Sequence, residues 1–329
     1  MIIAFICIVL IFNTMETISI HRPKIVVIGS CNTDMVVKAN RLPVPGETIL
    51  GGTFYMNPGG KGANQAIAAA RLGAEVTFIS KIGYDLFGLQ ALEIYRSEKI
   101  NTEYIFTDQK SPSGVALISV DSFGENSIIV APGASRSLSI EDINKAEEKI
   151  KEADIILMQL EIPIDTVEYA ATIACKYGKK VILNPAPASS LSNSFLMNVH
   201  TILPNRIEAE MLSGIKVMNI ESAHRAAQAI GEKGIENVVI TLGKDGAYVK
   251  EKDEYTMIPA KEVETIDTTG AGDAFIGSLL YQLAEDGVTT DSIADLTEDK
   301  LEEYLKKSNG YCAKSVLENG AIASYPTSL

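Results

Sequence analysis

The chain is poor in the residues that metal and redox chemistry draw on. Its three histidines, His21, His200 and His224, show no metal-ligand spacing, and its four cysteines, Cys7, Cys31, Cys175 and Cys312, include no CxxC pair. A zinc ribbon or a dithiol centre is not suggested, and the cysteines read as buried free thiols of a reducing compartment. Basic charge is scarce too: 29 Lys and Arg against 42 Asp and Glu leave a net charge of −13, with no long basic run. Nucleic acid is therefore not an expected partner, because neutralising phosphates takes clustered cations. With so few histidines, a catalytic base is expected to be a carboxylate. Long apolar runs are missing as well. About a dozen apolar residues open the chain, whereas a membrane span takes roughly 20. That opening has neither the basic flank nor the small-residue cleavage site of a signal peptide. Residues 1–22 are expected to form an N-terminal extension, with 1–14 a mis-assigned start or a disordered tail. No membrane association is expected, and the cytoplasm is the expected location.

What is present is an alternation. The 329 residues, 46% of them apolar, suffice for a large core. Short β-branched runs at 24–30, 75–80, 154–160, 179–185, 200–205 and 237–243 read as buried parallel strands. Helical patterns lie at 60–72, 86–98, 140–152, 165–177, 206–213 and 221–233. This order predicts an α/β fold, a mostly parallel sheet covered on both faces, with ligands at the carboxyl ends of the strands. Two stretches break the rhythm: "MVVKANRLPVPGETILGGTFYMNPGG" and the hairpin-like "GVALISVDSFGENSIIV". They predict a small β-sheet lid across the strand ends, drawn from about 35–57 and 104–130. One unit over 23–329 is expected.

The strand ends carry the chemistry. No GxGxxG follows the first strand, and "NPGGKGAN" is not a Walker A loop, which needs Ser or Thr after the lysine. Instead Asn32, Asp34, Asn64 and Glu161 offer hydrogen-bonding groups suited to a polyol. An Asx turn is the plainer reading of Asn32 and Asp34 alone. Asn205, Thr241, Gly243 and Gly246 offer a cradle suited to phosphates.

The stretch "DTTGAGDAF" places Gly270, Ala271 and Gly272 at a helix entrance, where unpaired N–H groups make an anion site. Asp273 would repel that anion unless its charge has a task. A carboxylate there can take the proton of an attacking hydroxyl, while backbone N–H groups stabilise the transferring phosphoryl group.

"NPGGKGANQAIAAARLGA" and "DTTGAGDAFIGSLL" resemble the two signatures of the carbohydrate kinases related to ribokinase and the minor phosphofructokinase, in the right order about 200 residues apart. "GETILGG", "MQLEIP", "NPAPA", "PNRIEAEMLSG" and "VVITLGKDGAYV" extend the resemblance from about Lys24 to Pro326. It implies a ribokinase-like three-layer sandwich with a small β-sheet lid, and ATP-dependent phosphorylation of D-ribose at O5. Deoxyribose, fructose and adenosine are alternative acceptors. A non-catalytic ribose-binding protein is a rival from another class, with no use for Asp273 beside an anion turn. In this resemblance Asp273 is the base and Gly270, Ala271 and Gly272 the anion hole. Asn32, Thr33, Asp34, Gly60, Lys61, Gly62, Ala63, Asn64 and Glu161 fall on sugar positions. Asn205, Thr241, Leu242, Gly243, Lys244, Asp245, Gly246 and Asn309 fall on nucleotide positions, with Gly272 and Asp273 shared. Mg2+ would accompany ATP. K+ would sit near Asp267, Thr269, Ser315, Glu318, Gly320 and Ser324, and a homodimer would form through the lid. The segment 288–310 is about a dozen residues longer than the family's usual pattern.

Overall fold

The computed structural model describes residues 24–329 except 124, 180, 252–253 and 289–297. The expectations for residues 1–22, and most of the lengthened part of 288–310, lie outside the described residues. The chain forms β1 (Lys24–Ile28), β2 (Asn32–Lys38) and β3 (Thr53–Gly59), then α1 (Lys61–Leu72), β4 (Glu75–Gly83), α2 (Leu86–Ser97) and β5 (Ile105–Asp108). A hairpin, β6 (Gly114–Val120) and β7 (Asn126–Ala131), precedes α3 (Ile140–Lys145), α4 (Glu147–Glu152), β8 (Ile155–Met158), α5 (Ile164–Lys176) and β9 (Val181–Leu183). Then come α6 (Asn193–Leu196), β10 (Val199–Ile202), α7 (Arg206–Ser213), α8 (Ile220–Gly231), β11 (Asn237–Thr241), β12 (Ala247–Glu251), β13 (Glu254–Ile258), α9 (Ala271–Glu285) and α10 (Glu298–Ser315).

Nine strands make one sheet in the order β13-β12-β11-β10-β9-β8-β1-β4-β5. From β11 to β5 every neighbour is parallel. The central strands are buried on both faces, which is why 25–28, 155–158 and 181–183 read as unbroken apolar runs rather than alternations. One face packs against α1, α9 and α10 through residues such as Ile67, Phe275, Leu279 and Tyr304. The other packs against α3, α4, α5, α7 and α8 through Ile143, Ile150, Val167, Ala209 and Ala227. The result is the three-layer α/β sandwich that the alternation predicts.

Three details differ from the sequence reading. The 140–152 pattern breaks at Ala146, whose backbone (φ −95°, ψ 3°) ends α3 and opens α4 while Ile143 and Ile150 both stay in the core. The antiparallel pair β12–β13, absent from the reading, closes one edge of the large sheet. At the opposite edge, β5 pairs in parallel with β4 from Ser80–Ile105 to Gly83–Asp108. It therefore belongs to the large sheet, although the range 104–130 assigned it to the lid.

The lid is a four-stranded sheet, β3-β2-β6-β7. Its first strand leaves the end of β1 after only Gly29, Ser30 and Cys31. Asn32 and Asp34 are thus alternate residues of an extended strand, not members of an Asx turn, and they point to one face. Register places Gly59 and Gly114 beside Asn32, and Asn57 and Ala116 beside Asp34. The start of β6 is tied down by Asp85, which caps α2 by accepting from the Gly88 N–H and also accepts from the Ser113 N–H and hydroxyl.

Candidate active site

The site lies where α1 and α9 start, beneath the lid and at the carboxyl ends of β1, β8 and β9. Helix α1 can begin so close to the β1 end because Gly62 has no side chain: a Cβ there would lie 2.7 Å from the Ser30 carbonyl oxygen. This close approach delivers the Ala63 N–H to the Ser30 carbonyl at 3.0 Å. It also turns Asn64 and Gln65 toward α9. Ala63 itself is wholly buried in the core, so only its backbone shapes the site.

Asp273, in the first turn of α9, is 7% exposed. Its two oxygens are held separately. Asn64 Nδ2 donates to Oδ2 at 2.9 Å, and Gln65 Nε2 donates to Oδ1 at 2.8 Å. Gly270 stands before the helix with φ +72°, a conformation that favours glycine. The Ala271 N–H is taken by the Thr268 carbonyl, and the Ala274 N–H by the Gly270 carbonyl. The N–H groups of Gly272 and Asp273 have no acceptor among the described residues. A helix entrance with two free donors beside a carboxylate is the arrangement the sequence predicts for an anion next to a base.

Glu161, after β8, binds the opposite side of the cleft: its Oε2 accepts from the Lys61 N–H at 3.0 Å and from the Ser30 hydroxyl. Asp34 reaches down from the lid. Burial, then the charges of Glu161 and Asp273, push its carboxyl up to about 7. Burial alone would pull the Lys61 ammonium down, but the carboxylates of Asp273, Glu161 and Glu208 outweigh it and hold it above its ordinary value. Among the described residues, the buried Asn32 and Asn64 Oδ1 atoms have no hydrogen-bond partner. Unpaired buried acceptors are unfavourable unless water or a ligand hydroxyl reaches them. A cleft of about 680 Å³ opens between the lid (Asp34, Val36, Tyr55 and Asn57 among its walls) and the loop at 265–269, within the size range of small-ligand sites. Thr33, between Asn32 and Asp34 in the strand, belongs to the opposite face of the lid.

The second half of the site lies at the end of β11. Asn205 and Thr241 pair as an isolated parallel bridge. The Asn205 side chain is engaged as the cap of α7, accepting from the Ile207 and Glu208 N–H groups, while Glu208 accepts in return from the Asn205 N–H. Glu208 is buried, and desolvation raises its carboxyl while its cap bonds and Lys61 oppose that rise. Leu242 is a core residue. Gly243, Lys244 and Asp245 form an exposed 3-10 turn, and Asp245 pairs with Arg206 at 2.5 Å. Asn309, on α10, donates to the Pro259 carbonyl at 3.0 Å, next to the backbone on which Gly246 packs. The predicted nucleotide residues are therefore neighbours.

The candidate cation residues converge less completely. Asp267 Oδ1 accepts from the Thr269 N–H and hydroxyl, and Oδ2 accepts from the Gly320 N–H at 2.9 Å. This locks the loop before the anion turn to the turn after α10. Ser315 and Ser324 are buried and donate to the Cys312 and Ala321 carbonyls. Glu318 is exposed. Among the described residues, no three His, Cys, Asp or Glu side chains cluster as metal ligands. The donor set offers hard oxygens with one fixed carboxylate, chemistry that suits a weakly bound alkali cation rather than a transition metal.

Sequence reasoning missed Gln65, Gln159, Asn184, Arg71 and Tyr325. The first three stand behind Asp273. Tyr325 donates its hydroxyl to the Gly270 carbonyl, and Arg71 holds the Ile322 and Tyr325 carbonyls.

A model of the pfkB family carbohydrate kinases matches residues 22–328. The chain is 42% identical over 306 residues to the ribokinase of Haemophilus influenzae, covering 93% of this chain and 96% of that one. It is 37% identical over 304 residues to the deoxyribokinase of Salmonella typhimurium, covering 92% and 95%. The structure of Arabidopsis thaliana ribokinase complexed with ribose and ATP matches with a TM-score of 0.80 at 28% identity, covering 93% of this chain and 96% of that chain.

Proposed function

The chain belongs to the pfkB family of carbohydrate kinases, and from that premise we propose that it transfers the γ-phosphoryl group of ATP to O5 of D-ribose, giving ribose 5-phosphate and ADP. The observation that carries the chemistry is the Asp273 carboxylate, buried and held by Asn64 and Gln65 beside two free N–H groups at the α9 entrance. Asp273 takes the proton of the sugar hydroxyl as its oxygen attacks the γ-phosphorus. The Gly272 and Asp273 N–H groups stabilise charge on the transferring group. Asn32, Asp34, Asn64, Lys61 and Glu161 bind the sugar hydroxyls. Thr241, the 243–246 turn and Asn309 bind the nucleotide.

Mg2+ would enter as the partner of ATP and would offset phosphate charge. The oxygens around Asp267, Thr269, Ser315, Gly320 and Ser324 would hold K+, which would supply charge that fixes the anion turn. Phosphorylation of 2-deoxyribose is the second reading, favoured by the 37% identity to a deoxyribokinase. A coupled ADP-release assay over ribose, 2-deoxyribose, fructose and adenosine tests the proposal. The highest kcat/KM is expected for ribose. The highest value for fructose or adenosine, or no sugar-dependent ADP release, would overturn it.

The lid supports a homodimer. Val37, Phe54, Met56, Leu117 and Ile129 share its outer face and are 39–68% exposed, an apolar patch of the kind that marks an interface. Phe54→Asp with Leu117→Asp should convert a dimer to a monomer in sedimentation velocity. An unchanged sedimentation coefficient would place the interface elsewhere.

A further inference from the structure

We infer that Gln65 is a positioning residue for the phosphoryl-transfer base, and that Asn184 and the Leu203 carbonyl fix the direction of its amide. The inference rests on the assignment of Asp273 as base. Gln65 is wholly buried on α1 and touches three other segments. Its Nε2 donates to Asp273 Oδ1 at 2.8 Å and to Asn184 Oδ1 at 3.0 Å, while its Oε1 accepts from Gln159 Nε2 at 2.6 Å.

The direction of each amide follows from its neighbours. Asn184 Nδ2 donates to the Leu203 carbonyl at 3.0 Å, and a carbonyl can only accept. Asn184 must therefore turn its oxygen toward Gln65. That oxygen requires an N–H from Gln65, and the same NH₂ group has a second hydrogen for Asp273. A flipped Gln65 would set its oxygen against two acceptors, Asp273 Oδ1 and Asn184 Oδ1. The polarity is therefore relayed from the backbone at the end of β10, through β9 and α1, to the carboxylate on α9.

This relay fixes the rotation of the Asp273 carboxyl group. Asn64 holds Oδ2 but is itself placed to meet the sugar, with its own Oδ1 unpaired. Gln65 is wholly buried, so its own side chain lies out of a ligand's reach. It holds Oδ1 from behind, leaving the front of the carboxylate for the acceptor hydroxyl. Small misplacements of a reacting group lower rates steeply, by about 10² for 1 Å. The loss of Gln65 should therefore act on turnover rather than on sugar affinity.

A double-mutant cycle tests this, using Gln65→Leu, Asp273→Asn and the pair in the full-length enzyme, with ribose affinity measured by calorimetry. Gln65→Leu should lower kcat roughly 10- to 100-fold with ribose affinity within about threefold of wild type. It should add almost nothing once Asp273→Asn is present. Multiplicative losses in the pair, or a ribose affinity that falls in step with kcat, would overturn the inference while leaving the base assignment standing. A near-wild-type Asp273→Asn enzyme would instead remove the base assignment itself. The nearly isosteric Gln65→Glu provides a second readout if Gln65→Leu folds poorly. Its carboxyl can donate to Asp273 only when protonated, so its kcat relative to wild type should fall as pH rises from about 5 to 8. A pH-independent ratio would contradict the relay.

Discussion

The Tyr325 hydroxyl donates a 2.9 Å hydrogen bond to the carbonyl of Gly270, and Tyr325 is in turn gripped at its own carbonyl by Arg71 at 2.8 Å. The end of the chain thus braces the residue that sets the entrance of α9, and α1 braces the end of the chain. Tyr325→Phe keeps the ring and removes the bond. A net loss of about 0.5–1.5 kcal/mol is expected for one such bond, read as a thermal midpoint lower by a few degrees at most. The kcat should fall about 3- to 10-fold, because the donors around the transferring group are no longer held. Ribose affinity should change little. An unchanged kcat would show that the turn holds its geometry without the brace.

Asp34 gives the site a pH dependence whose sign is fixed. Its carboxyl is raised from 3.8 to about 7 by burial and by Glu161 and Asp273, with Lys61 the cation in the same cleft. Between those values the folded protein holds a proton that the unfolded chain has released. Stability without sugar should therefore decline as pH rises from about 4 to 7 and level off above. Asp34→Asn should flatten that decline, and denaturant melts across the range check it. An Asp34 that must ionise to accept sugar hydroxyls should also release a proton on ribose binding near pH 6. Calorimetry in buffers of different ionisation enthalpy measures that release, and no release would contradict the role given to Asp34.

Replacing sodium by potassium at constant ionic strength should raise the rate several-fold. The loop that Asp267 locks to Gly320 leads straight into the anion turn, so a cation held there acts through preorganisation of the donors. Potassium is the more easily dehydrated of the two and suits a cage of carbonyl oxygens. A rate titration in potassium, sodium and choline chlorides distinguishes the outcomes. Identical rates in all three would remove the ion and leave the kinase chemistry intact.

Much of this was legible because the informative signals are local. The 25–28 and 155–158 runs are apolar throughout because both faces are covered, and Asp273 directly follows its own glycine turn. What escaped notice depends on tertiary pairing. Gln159 sits in "LMQLE" and Asn184 in "LNPAP", each a single polar residue closing an apolar run, and only the β1-β8-β9 order brings both to Gln65. The β5 segment lies next to β6 in sequence, yet hydrogen bonding to β4 decides its sheet. Asn205 stands where a nucleotide contact was expected, yet its side chain is occupied by the α7 cap. Any contact it makes with a nucleotide comes in addition to that task.

The most direct test of the account is the turnover of Asp273→Asn at saturating ribose and ATP, set beside its ribose affinity. The substitution is nearly isosteric: the amide oxygen can keep the Gln65 bond, and Asn64, whose Oδ1 is otherwise unpaired, can turn to accept from the new NH₂, so the fold should hold. Loss of a general base lowers turnover by roughly 10² to 10⁴, and this is the predicted result, with ribose affinity reduced far less. Turnover within a few-fold of wild type would contradict the central claim that Asp273 takes the proton from the attacking hydroxyl.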